Sequence, residues 1–88
     1  MREVIHGVVR DEDGRRVEAA RVFFASGPVP LPDVAALTAA DGTFQLTAPV
    51  PGRYSLMCVL DDGRSETRSI EVIRGGGALV EFEMPADR

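Results

Sequence analysis

Eighty-eight residues, 44% of them hydrophobic, with a net charge of −4 describe one small domain with a single thin core. The charge leaves no footprint for nucleic acid, because the basic residues are all arginine, scattered along the chain with no aromatic stacking platform beside them. The chain has no Lys, Asn or Trp, which excludes N-glycosylation, Schiff-base chemistry, a P-loop lysine and a Lys–Asn isopeptide crosslink.

Seven strand-like runs follow one another at short intervals, and no helical period competes with them. The first is Glu3 to Arg10, ended by the turn chemistry of Asp11-Glu12-Asp13-Gly14. The second is Val17 to Ser26, with Ala20, Val22 and Phe24 on one face. Gly27-Pro28-Val29-Pro30-Leu31-Pro32-Asp33 then forms a loop, since its three prolines exclude a central strand. Ala36 to Ala39 and Thr43 to Thr47 read as a hairpin around Asp41-Gly42.

After Pro51-Gly52, the run Arg53 to Leu60 points Tyr54, Leu56 and Cys58 inward and Met57 and Val59 outward. Asp61-Asp62-Gly63 turns the chain into Arg64 to Ile73, whose pattern conflicts with itself. Ile70 and Val72 share parity with Arg64, Glu66 and Arg68, and these side chains cannot all face a dry core. Either a bulge near Ser69 shifts the register or the first half overhangs the sandwich edge. Arg74-Gly75-Gly76-Gly77 is a flexible turn. Ala78 to Met84 closes the set with Val80, Phe82 and Met84 inward, and Pro85 to Arg88 is a frayed terminus.

Several of these residues form a known pattern: Ile5-His6-Gly7-Val8-Val9, Asp13-Gly14, Val17, Ala20-Arg21-Val22, Thr38, Asp41-Gly42-Thr43-Phe44, Pro51-Gly52-Arg53-Tyr54, Gly63 and Ile70-Glu71-Val72. Their order and spacing resemble the carboxypeptidase regulatory-like domain, a relative of transthyretin-like and collagen-adhesin B-type repeats. The resemblance spans nearly the whole chain. It implies an all-β, seven-stranded antiparallel sandwich of transthyretin-like or immunoglobulin-like topology. It also implies a module that accompanies something else: a peptidase, a surface protein, a receptor plug or a secretion spike. Two activities of similar domains do not carry over. The crosslinking repeats need Lys and Asn. The hydroxyisourate hydrolases need several histidines and a specific C-terminal tetrapeptide, whereas this chain has His6 alone and ends Met84-Pro85-Ala86-Asp87-Arg88.

No catalytic residue, metal ligand or cofactor is expected. His6 lies in the outward phase with Val4 and Val8, while Cys58 sits in an inward row, so the two cannot pair as base and nucleophile. The acidic turns Asp11-Glu12-Asp13 and Asp61-Asp62 would suit calcium only if they lay together, and acidic residues beside glycine are ordinary turn formers. Carboxylates for glycoside hydrolysis would need a cleft that a small filled sandwich does not offer. A lone cysteine leans towards a reducing compartment. No run reaches the ~18 apolar residues of a membrane helix, and residues 1–10 are not a signal peptide. The domain is expected to be cytoplasmic if Met1 is the native start, and extracellular if it belongs to a longer secreted protein.

The expected role is a non-catalytic structural or protein-interaction module. It would act as an accessory or adaptor subunit of a larger assembly, or as one domain of a larger protein. The alternative is a carbohydrate- or calcium-binding module of a secreted or cell-surface protein. Candidate partner-binding residues fall in two groups. Val29, Pro30, Leu31 and Val34 belong to the stiffened loop, which either docks a partner or caps the core. Val4, Val8, Met57, Val59 and Leu79 are outward apolar residues that make one patch if their strands are neighbours. The partner is another protein or a neighbouring domain, with no nucleic acid and no membrane insertion.

Overall fold

The computed structural model describes residues 2–31 and 34–85, and over them the chain forms seven strands and no helix. The strands are β1 (Glu3–Arg10), β2 (Arg21–Ser26), β3 (Ala35–Leu37), β4 (Thr43–Ala48), β5 (Gly52–Val59), β6 (Ser65–Val72) and β7 (Ala78–Glu83). They make a three-stranded sheet ordered β4-β1-β7 and a four-stranded sheet ordered β3-β2-β5-β6. Strand alternation puts one face of each sheet on a shared core. Ile5, Val9, Phe44 and Phe82 come from the first sheet; Val22, Tyr54, Leu56, Cys58 and Val72 come from the second. Burying each of these larger side chains stabilises the fold by about 1.5–3 kcal/mol.

The sandwich differs from the expected all-antiparallel one at a single pairing. β1 and β7 run parallel, from Ile5↔Ala78 to Arg10↔Glu83. The glycine-rich segment after Ile73 does not return β7 alongside β6 but passes the chain to the other sheet, where it meets β1 in the same direction. The expected Asp41-Gly42 hairpin is corrected in the same way. The turn is present, with Gly42 N–H donating to the Ala39 carbonyl at 2.8 Å and Ala39 N–H to Thr43 at 2.9 Å. Yet β3 pairs only with β2, and β4 only with β1, so this turn too changes sheets. Turn residues encode a reversal of the chain, whereas sheet choice depends on where apolar faces find partners.

The second run also starts later than expected, at Arg21 instead of Val17. Val17 N–H donates to the Val9 carbonyl at 3.0 Å, beside the first sheet, and Ala19 then takes the left-handed conformation at φ 62°. The crossing is held by Thr38, a buried hydroxyl residue that bonds both Val17 and Ala20. Tyr54 makes a similar tie, its hydroxyl donating to the Val50 carbonyl at 2.6 Å.

The sixth run contains no bulge, and residues of inward parity reach solvent because β6 is an edge strand of its sheet. β6 pairs with β5 in unbroken register from Gly52↔Val72 to Val59↔Ser65. Val72 is buried and Ile70 half-buried, but Arg68, of the same parity, is exposed. The register shift lies elsewhere, between Phe24 and Ser26 on β2.

Candidate interaction surfaces

The phase of β1 places His6 on the solvent face of the three-stranded sheet, with Leu79 directly beside it on β7 and Gln45 on β4. Val4 and Val8 flank it on the same face, half-buried, and Leu79 is 85% exposed. Glu81 stands next to Val8 and pairs with Arg10 at 3.0 Å. Met57 and Val59 belong to the other sheet and point the opposite way. The five outward apolar residues therefore do not form one patch: Val4, Val8 and Leu79 share one outer face of the sandwich, and Met57 and Val59 the other.

On that second face the sequence analysis missed two members. Phe23 pairs with Met57 and Leu37 pairs with Arg21, so Phe23, Leu37, Met57 and Val59 lie together. Leu37 is 63% exposed. The signal was available in the alternation of β2, since Phe23 has the opposite parity to the buried Val22.

The structure turns part of the loop after β2 towards the core and part towards solvent. Leu31 is half-buried and packs against the core, so it belongs to the cap and not to an outward surface. Pro28 lies over Gly52, where an added Cβ would come within 2.9 Å of its ring. Pro30 is exposed, Val29 half-buried, and Val34 is 58% exposed at the far end. Pro32 and Asp33, like residues 86–88 of the expected frayed end and Met1, lie outside the described residues.

The acidic turns do lie at one end of the molecule, but around a guanidinium. Arg64 Nε donates to Asp62 at 2.8 Å, its NH1 reaches Glu12 at 3.5 Å, and the same nitrogen donates to the Pro85 carbonyl at 2.9 Å. Backbone and side-chain donation from Arg64 also holds the Asp62 carboxyl below its ordinary range, the backbone bond foremost. Asp41 is lowered likewise, chiefly by the Thr43 hydroxyl at 2.6 Å. Asp11 accepts from the Asp13 and Arg15 amides, both at 2.9 Å, in a self-contained turn. These carboxylates are thus committed to turn geometry. Glu3, a buried carboxylate, serves as a clip: it accepts the Gly75 N–H at 2.9 Å and fixes the β6–β7 connection to the start of β1.

Cys58 is fully buried between the sheets, away from His6, and burial pushes its thiol up to about 11. It is expected to be inert to thiol reagents at pH 8 in the native protein and to react once the chain is unfolded in urea. The linkage has a definite sign. The folded state keeps this proton when the unfolded thiol, at about 9.0, has lost it. The contribution is therefore whole below pH 9.0 and is lost as pH rises towards 11. Urea melts of wild type and Cys58→Ala at both ends of that window isolate the effect.

Structure and sequence together define a small filled β-sandwich whose two outer faces carry apolar side chains. The chain matches the model of the carboxypeptidase regulatory-like domain over residues 4–85, and it belongs to that family. No curated protein matches it in sequence. Among solved structures it is similar to the major pilin subunit BcpA of Bacillus cereus, with a TM-score of 0.65 and 15% identity over 94% of this chain and 28% of the pilin. It is similar to the C-terminal domain of the Caf1A usher, with a TM-score of 0.62 and 7% identity over 92% of this chain and 94% of that domain. A DUF3823 family protein from Parabacteroides merdae aligns with a TM-score of 0.59 and 16% identity, over 94% of this chain and 45% of its own. The chain thus spans less than half of the pilin and of the DUF3823 protein. At these identities the likeness is one of fold.

Proposed function

We propose that this domain is a non-catalytic interaction module that presents its outer faces to another protein, in the same polypeptide or in a multi-subunit assembly. The observation that carries this reading is the exposure of large apolar side chains on regular strands: Leu79 at 85% and Leu37 at 63%, each beside further apolar neighbours. Solvent-facing leucines on a sheet have no role in the domain's own core, and clustered apolar groups on a surface mark association sites. The Caf1A usher domain offers a parallel, since conserved hydrophobic clusters on its surface are important for F1 antigen assembly. The side chains that would do this here are Val4, Val8 and Leu79 on one face and Met57 and Val59 on the other, with Val29, Pro30 and Val34 at the loop.

A photo-reactive amino acid placed at Leu79 in one strain and at Met57 in another tests this in the native cell. A discrete crosslinked product is expected from at least one position, and a charged substitution on the same face, Val8→Asp, is expected to remove it at Leu79. Illumination without product at both positions would overturn the reading.

A further inference from the structure

The sheet edges differ in how they are defended against pairing with another chain. β6 carries Glu66, Arg68 and Glu71, β7 carries Glu81 and Glu83, and β3 is only three residues long. β4, Thr43-Phe44-Gln45-Leu46-Thr47-Ala48, has no charge, no proline and no glycine, and it pairs with β1 in unbroken register. Sheet proteins normally guard such an edge with charges, prolines or bulges.

The hydrogen-bond phase identifies the open backbone groups. Val9 N–H donates to the Gly42 carbonyl at 2.9 Å, one step beyond the Val8↔Thr43 pair. Antiparallel alternation then turns Phe44, Leu46 and Ala48 towards β1 and directs the N–H and C=O of Gln45 and Thr47 away from it. Thr43 fits the same phase, its outward carbonyl accepting from Ala39 N–H at 2.9 Å. Beside Gln45 and Thr47 the two sheets part. The groove between β3 and β4 is lined by Phe24, Val34, Ala36, Leu46 and Pro49, with Arg2 as the single charged residue among the described lining.

We infer that β4 is a docking edge for an extended segment of another polypeptide, added as a strand beside Gln45 and Thr47. This inference rests on the interaction-module reading and locates one interface of that module. The main-chain groups of Gln45 and Thr47 supply the pairing, and alternate side chains of the incoming strand supply the selectivity. Those that point inward are apolar and enter the groove, and a carboxylate at one end meets Arg2. A second copy of this chain paired β4 to β4 does not fit the role. Its own β4 has Phe44, Leu46 and Ala48 at 6%, 7% and 0% exposure in its own core, so it has no apolar side chain to place in the groove.

The probe is a peptide of six alternating valines and threonines flanked by aspartate at both ends, acetylated and amidated so that its backbone termini carry no charge, with a twin flanked by arginine, titrated into isotope-labelled protein. With the aspartate peptide at saturation, amide exchange at Gln45 and Thr47 is expected to slow by about 10-fold or more, because open edge amides become bonded. The arginine twin binds several-fold more weakly. Thr47→Pro removes only an outward N–H, which edge strands tolerate, so it keeps the fold and abolishes the protection. If that variant unfolds, Arg2→Glu, outside every strand, carries the test and must reverse the preference to the arginine twin. Shifts confined to Leu79 or Met57, equal binding of the two peptides, or no binding would each overturn strand addition at β4. Crosslinking at Leu79 and Met57 reads the interaction module independently of that result.

Discussion

Gly7→Ala is expected to destabilise the domain by about 1–3 kcal/mol, although alanine ordinarily improves on glycine within a strand by about 0.5–1 kcal/mol. Gly7 lies in the middle of β1 with inward parity, opposite Phe44 on β4. A Cβ at this position would run into the Phe44 ring and come within 2.9 Å of Val80 Cγ1. The ring has little freedom to yield, being buried and tilted against Phe82 at a centroid distance of 6.1 Å. Steric cost therefore outweighs the conformational gain. Denaturant melts measure the loss, and a double-mutant cycle with Phe44→Leu identifies its cause. The cost of Gly7→Ala should fall by at least half when the ring is absent. An unchanged cost in the Phe44→Leu background would show that the glycine does not exist for the ring.

The second large effect is expected at Thr38. Its Oγ1 donates to the Val17 carbonyl at 2.6 Å and accepts the Ala20 N–H at 2.9 Å, with the residue 4% exposed. Backbone bonds on either side, Ala19 N–H to Thr38 and Thr38 N–H to Ala20, complete the tie. Valine has nearly the same shape but leaves a buried donor, the Ala20 N–H, and a part-buried acceptor, the Val17 carbonyl, without their side-chain partner. Each such orphan costs about 1–3 kcal/mol, so Thr38→Val should lose about 2–4 kcal/mol in all. Thr38→Ser keeps the hydroxyl and should lose less than about 1.5 kcal/mol, the scale of one deleted methyl group. Equal losses for the two variants would assign the role of Thr38 to packing instead of hydrogen bonding. Exchange at the Ala20 amide should accelerate in the valine variant alone.

The strand pattern was legible because alternation and turn chemistry are local properties. Tyr54, Leu56 and Cys58 faced inward as their parity required, and the Glu3–Arg10 strand kept its expected bounds. Sheet membership was not legible. The turn at Asp41-Gly42 looks like a hairpin turn in sequence and Arg74-Gly77 like a flexible one, yet both pass the chain between sheets, and the second gives β1 its parallel neighbour β7. The same non-local choice divided the outward apolar residues, sending Leu79 to one face and Met57 to the other. The mixed parity of Arg64 to Ile73 marked an edge strand, β6, paired on one side alone. Arg64 does not enter the core but gathers Asp62 and Glu12 at the end of the sandwich. Leu31 could not be placed from sequence, because a proline-bounded loop reads alike whether its leucine faces solvent or turns back onto the core.

An interaction module must be found with its partner, so the most direct test is the composition and mass of the native particle that contains this domain. The tagged polypeptide, expressed at its natural level in its own cells, would be isolated gently, sized by light scattering and identified by mass spectrometry. We predict a discrete complex with a second polypeptide at fixed stoichiometry, weakened when the Leu79 face carries a charge. A particle holding only the polypeptide that bears this domain, and unaffected by Val8→Asp, would contradict the proposed role.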